Sequence, residues 1–133
     1  MNSLNTTLSQ PVTRCMTDWF ITLDQDQSLV IAAKALRDRG IGLLLVTDGD
    51  ELVGVLSERD IITALADDDP LEHTHLADRA RGDILTIGSN ATLQAGVDLM
   101  VQGGTRHLVV VDDAERPVGV LSARDVLSEL SSV

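Results

Sequence analysis

Two tetrads in this sequence carry residue types able to hold a polar ligand: Ser57-Glu58-Arg59-Asp60 and Ser122-Ala123-Arg124-Asp125. A Ser followed three residues later by a carboxylate is the signature of a helix capping box. In that motif the hydroxyl accepts from the third helical amide and the carboxylate accepts from the amide of the Ser. The spacing has a second use. Where a strand runs straight into a helix, the first amides face a crevice and can receive a phosphate. A carboxylate beside that crevice repels an anion but accepts hydrogen bonds from a pair of hydroxyls. Asp60 and Asp125 would then take the diol of a ligand, and Ser57 and Ser122 a hydroxyl or phosphate edge. The spacing alone does not choose between cap and clamp. Glu58 adds a like charge against an anion, while Arg59 and Arg124 are open either to offset it or to form surface ion pairs.

The elements that must position these residues follow from a repeat. VGVLSERD, Val53 to Asp60, recurs 65 positions later as VGVLSARD, Val118 to Asp125, and differs only at Glu58 and Ala123. In the first copy FITL (Phe20 to Leu23) predicts a short strand. Asp24, Asp26 and Ser28 are helix-start residues, Leu29, Ala32, Ala33 and Leu36 fall at helical spacing, and Gly40 is a stop. LLLV (Leu43 to Val46), the turn DGDE and LVGVLS (Leu52 to Ser57) predict a hairpin, after which Ser57 caps a helix carrying Ile61, Ile62 and Leu65. The second copy repeats the order: ILTI (Ile84 to Ile87), a helix from Thr92 with Leu93, Val97 and Met100, a stop at Gly103-Gly104, HLVVV (His107 to Val111), DDAERP, VGVLS, and a helix with Val126, Leu127 and Leu130. The offset is 64 through the second strand and 65 beyond it, so one residue is inserted in the hairpin turn, where length changes are tolerated. The expected fold class is α+β, a tandem pair of β-α-β-β-α units: an N-terminal tail 1–11, a first unit 12–66, a polar linker 67–75 broken by Pro70, and a second unit 76–133.

Composition narrows the function. Units of about 60 residues bury a marginal core alone, so the two copies are expected to share an interior. A formal charge of −11, with 21 acidic residues against ten Lys and Arg, opposes binding to a nucleic-acid backbone. One Trp, one Phe and no Tyr leave no stacking platform for single strands. Cys15 stands alone and signals no oxidising compartment. The polar start MNSLNTTLSQP lacks a leader pattern, and the longest apolar run, Ile41 to Val46, is too short for a bilayer; a cytoplasmic protein without membrane contact is expected. His73, His75 and the Asp67 to Asp69 run read as solvated linker rather than a metal site. Gly96, inside a predicted helix, marks close backbone packing. No nucleophile elbow, phosphate-binding loop, HExxH or dinucleotide fingerprint is present, so an enzyme is not expected.

The strands ending near Thr22 and Thr86, the Gly-closed helices, GIGLLLV, GTRHLVVVD and the two GVLS-x-RD motifs together resemble the CBS-domain pair, or Bateman module, over nearly the whole chain. That resemblance implies two CBS units packed sheet to sheet with pseudo-two-fold symmetry, two clefts that take adenosine derivatives, and a homodimer formed through helices. By the resemblance Thr86, Arg106 and His107 face Ser57 and Asp60, while Thr22, Ile41, Gly42 and Leu43 face Ser122 and Asp125. Arg106 then supplies a cation for phosphate in the Asp60 cleft, where the Asp125 cleft has Gly42. The function expected is a stand-alone regulatory module that needs no cofactor, binds an AMP, ADP or ATP type nucleotide, and signals its occupancy to an unidentified protein target. The rival is a constitutive dimerisation or scaffold module with vestigial clefts. Ile61, Ile62, Leu65, Val126, Leu127 and Leu130 divide between core and dimer surface.

Overall fold

The computed structural model describes residues 3–131. The elements run α1 (Ser3–Leu8), a 3-10 turn (Val12–Arg14), β1 (Thr22–Asp24), α2 (Leu29–Arg39), β2 (Leu43–Asp48), β3 (Glu51–Ser57), α3 (Glu58–Ala66) and α4 (Leu76–Arg79). They continue with β4 (Thr86–Gly88), α5 (Leu93–Gly103), β5 (His107–Val111), β6 (Pro117–Ser122) and α6 (Ala123–Leu130). The fold is α+β with the tandem order read from the repeat. Each sheet has three strands, β1-β2-β3 and β4-β5-β6, the first strand parallel to the second and the third antiparallel to it. β1 and β4 begin at the third residue of FITL and ILTI, because the ladders open at Thr22 opposite Leu45 and Thr86 opposite Val109.

Local chemistry sets the element ends. The Ser28 hydroxyl accepts from the Ile31 amide at 3.3 Å and the Thr92 hydroxyl from Ala95 at 3.2 Å, so α2 and α5 start at capping residues. Both stop on a left-handed glycine, Gly40 (φ 63°) and Gly104 (φ 61°), a conformation that costs other residues a Cβ clash. A β-bulge follows Val46 in the first hairpin and Val110 in the second. The inserted residue lies in the second turn, where Asp112 Oδ1 accepts from the Ala114 and Arg116 amides at 2.9 Å each.

The packing units do not follow the sequence boundaries 12–66 and 76–133. Ile21–Ile84 form one unit, and the described residues up to Phe20 pack with those from Leu85 onward as the other. The reason is an exchange of opening segments. Val12 is fully buried in the core of the second repeat, its amide on Ala91 O at 2.9 Å, and Thr17 trades two backbone bonds with Val120 at 2.9 and 3.0 Å. In the other unit Leu76 is fully buried, its amide on Gln27 O at 2.9 Å, and Arg81 trades two bonds with Val55 at 3.0 and 2.9 Å. The described part of the 1–11 segment is therefore not simply a tail: α1 lies in the second-repeat unit, with Leu8 against that core.

The linker 67–75 is also tied down rather than free. Arg79 binds Asp69 through two hydrogen bonds, at 2.6 and 2.8 Å, and pairs with Asp67 at 3.1 Å. The Arg79 hydrogen bonds hold the Asp69 carboxyl below its usual range. Thr74, buried, donates to Pro70 O at 2.8 Å.

Apolar residues collect in two clusters, one in each unit. Leu29, Leu36, Leu44, Val46, Leu56, Ile61 and Leu76 form the first. Val12, Ile87, Leu93, Met100, Leu108, Val110, Leu121 and Val126 form the second. Gly96 is buried there, and a Cβ on it would meet Leu121 Cδ2 at 2.8 Å, the close packing its helical position foreshadows. Two other glycines lie under backbone oxygens: a Cβ at Gly54 would lie 2.9 Å from Arg81 O, and one at Gly119 2.5 Å from Thr17 O. Both neighbours are backbone and cannot swing away.

Two outcomes test this packing by urea denaturation. Leu76→Ala should cost about 2–5 kcal/mol, as deletion of a buried Leu side chain does, while Leu127→Ala on the surface should stay within about 0.5 kcal/mol of the parent. Gly119→Ala should cost about 1–3 kcal/mol through overpacking against Thr17, and Gly88→Ala, with open space around it, should cost much less. Equal midpoints for Gly119→Ala and Gly88→Ala would refute the close approach.

Candidate functional site

In the Ile21–Ile84 unit β3 runs without a loop into α3, and Ser57 is the joint. Its amide donates to Asp60 Oδ2 at 2.8 Å, its hydroxyl donates to the same oxygen at 3.0 Å, and the Asp60 amide lies 3.3 Å from the Ser57 oxygen. The capping box is complete. It uses one carboxylate oxygen and leaves Oδ1 with acceptor capacity. The group facing Oδ1 is Arg81, whose Nε stands 3.9 Å away. Ser57 is buried and Asp60 partly so, while the Arg81 side chain is half-exposed.

The second unit builds the same joint at Ser122. The Ser122 amide donates to Asp125 Oδ2 at 3.0 Å, and the Asp125 amide to the Ser122 hydroxyl at 3.0 Å. Here the neighbour from the exchanged segment is Thr17, whose hydroxyl lies 3.5 Å from both carboxylate oxygens. Cys15 adds a sulfur contact to Asp125 O at 3.2 Å. Burial pushes the Cys15 thiol up to about 11, with the Asp125 and Glu129 charges adding to the effect. Cys15 is therefore a protonated packing group at neutral pH, not a nucleophile.

The helix-start amides offer less to a phosphate than the strand-to-helix pattern suggests. The Glu58 amide is on Gly42 O at 3.1 Å and the Asp60 amide on Ser57; the Ala123 amide is on Arg106 O at 2.8 Å and the Asp125 amide on Ser122. Two of the first three amides at each helix are thus satisfied within the protein, so an anion would depend on side-chain cations. Arg59 and Arg124 are exposed and form no ion pair with an acid among the described residues.

The remaining predicted residues stand on the strands beside these joints. Leu43 pairs with Ser57 across β2 and β3, and His107 with Ser122 across β5 and β6. Ile41 and Gly42 precede β2, as Thr105 and Arg106 precede β5. Each unit therefore brings Leu43 and Gly42 to Ser57, and His107 and Arg106 to Ser122. Thr22 and Thr86 open β1 and β4 and are exposed, as is Arg106.

Arg81 and Thr17 were not legible as site residues. They occupy equivalent places, 64 apart, but MTD around Thr17 and ARG around Arg81 share no residue, so only the shared offset relates them. Among the described residues no cluster of three or more His, Cys, Asp or Glu is placed to hold a metal ion, and no helix is long and apolar enough to cross a membrane.

Known proteins resemble the chain in the same terms. The CBS domain family matches it twice, over residues 12–67 and 77–132. An uncharacterized protein of Methanopyrus kandleri is 28% identical over 80% of this chain and 56% of its own length. The chain spans about half the length of such curated relatives. An uncharacterized conserved protein from Pyrococcus horikoshii superposes with a TM-score of 0.85 at 20% identity, covering 91% of this chain and 92% of that one. A CBS domain protein from Pyrobaculum aerophilum, complexed with AMP, superposes with a TM-score of 0.81 at 26% identity, covering 93% and 100%. With the duplicated β-α-β-β-α order and the paired Ser-x-x-Asp helix starts, the double match makes this chain a member of the CBS domain family that carries the domain twice.

Proposed function

We propose that the chain is a regulatory module that binds an adenosine nucleotide of the AMP, ADP or ATP type and passes its occupancy to a partner protein. The observation that carries this reading is the use of Asp60: the capping box consumes Oδ2 and fixes the side chain, so Oδ1 is held ready for a ribose hydroxyl. A fixed acceptor loses little freedom on binding, which favours affinity. The AMP complex of the Pyrobaculum aerophilum protein supports an adenosine compound as the ligand class. In this reading Ser57 and Asp60 hold the ribose of a nucleotide. Ser122 and Asp125 form a weaker site for a less charged compound. Ligand binding acts by population shift, favouring the conformation it contacts best.

A second reading, a constitutive dimerisation module, is favoured by the exposed apolar side chains of the last helices. Ile61 and Val126 are core, but Ile62 (63% exposed), Leu65 (56%) and Leu127 (66%) are open to solvent, and a homodimer through these helices would cover them. It uses the capping boxes as caps alone.

Thermal unfolding separates the two. In a panel of AMP, ADP, ATP, S-adenosylmethionine, NAD and cyclic dinucleotides, a true ligand at 100 times its Kd stabilises by about 2.7 kcal/mol. A panel with no shift would leave the dimerisation module standing. Where a nucleotide binds, Asp60→Ala should weaken it by about 1.5–3 kcal/mol in calorimetry, and Asp125→Ala by less. The reverse order would move the stronger site to Asp125.

A further inference from the structure

The two Ser-x-x-Asp joints are alike in the cap and unlike in what the exchanged segment sets against the carboxylate. Arg81 and Thr17 each pair their backbone with the third strand, at Val55 and Val120, and each turns its side chain toward the aspartate. At Asp60 the neighbour is a guanidinium at 3.9 Å, beyond hydrogen-bond reach but within ion-pair range; at Asp125 it is a neutral hydroxyl at 3.5 Å. Arg81 is 53% exposed, so its pairing with Asp60 is weak and easily exchanged.

We propose that Arg81 is a specificity-determining residue that makes the Asp60 site select adenosine compounds bearing an anionic group. The inference rests on the adenosine reading of that site and adds to it the means of charge selection. A ribose hydroxyl that takes Asp60 Oδ1 competes with Arg81 for that oxygen. An uncharged ligand leaves the guanidinium without an anion, whereas a phosphorylated ligand gives it a second one. Arg81 also offsets the charge of Asp60, which would otherwise repel a phosphate. Because the helix-start amides are largely occupied, this cation matters more than the fold alone would suggest. At Asp125, Thr17 carries no charge with which to offset the carboxylate or attract a phosphate, so that site does not select for charge.

Calorimetry on the full chain with AMP and adenosine as probes tests the assignment, because the two differ only in the phosphate. Arg81→Ala should weaken AMP by roughly tenfold or more and leave adenosine within about twofold, as loss of a charge-assisted contact to one ligand alone requires. Arg81→Lys should recover most of the AMP affinity, since the charge is kept. Its backbone bonds to Val55 do not involve the side chain, so both variants should keep the parent circular dichroism and urea midpoint within error. Equal losses for AMP and adenosine, or unchanged AMP binding by Arg81→Ala, overturn the proposal while leaving the adenosine site intact. If the parent chain binds neither probe, or binds them unaffected by Asp60→Asn, the adenosine reading fails and the selection by Arg81 falls with it.

Discussion

Where the opening segment of each repeat crosses the third strand of the other repeat, inside one packing unit, a backbone carbonyl passes directly over a glycine: Arg81 O over Gly54 and Thr17 O over Gly119. A Cβ at either place would come within 2.9 or 2.5 Å of that oxygen, so the strand must present a residue without one. Much else follows from this approach. It lets Arg81 and Thr17 form paired backbone bonds with Val55 and Val120, which satisfies an edge that would otherwise be bare. It anchors the segments whose earlier residues, Leu76 and Val12, fill the two cores. It also sets Arg81 and Thr17 beside the aspartates. The Gly of VGVLS and the Asp of S-x-R-D thus belong to one arrangement.

The capping box and the ligand clamp are not competing accounts of Ser57 and Asp60. A cap needs one carboxylate oxygen, and a ribose hydroxyl needs one acceptor; a carboxylate has two oxygens. The box spends Oδ2 and in doing so removes the rotamer freedom that a binding residue would lose on contact with ligand. The cap therefore prepares the clamp.

Much of this was legible in the sequence, and the parts that were not share a cause. The repeat, the element order, the left-handed stops at Gly40 and Gly104, the tight packing at Gly96 and the boxes at Ser57 and Ser122 are local signals, and each appears where its residues predicted it. The exchange of segments is non-local. Val12 looks like the start of the first unit, yet its burial is set by Leu93, Leu108 and Leu121, far along the chain, and nothing in its neighbours reports that. The same holds for the Asp67 to His75 stretch, which reads as solvated linker because its anchor, Arg79, lies outside it. Arg81 escaped notice for both reasons at once: it follows the linker, and its contact with Asp60 exists only because the exchanged segment is pinned to Val55.

This division between local and non-local constraints bears on how a duplicated motif can carry unequal sites. Ser and Asp at the helix joint are required for the cap whether or not a ligand binds, so neither can change without exposing amides at the start of α3 or α6. Gly54 and Gly119 are held by the carbonyls above them. Residue 81 or 17, by contrast, is held by its backbone pairing with the third strand, and its side chain meets the aspartate from outside the capping box. It is a position beside each aspartate where charge differs between the two joints while the capping box is kept. Arg at one and Thr at the other are what a fixed scaffold with two adjustable neighbours allows.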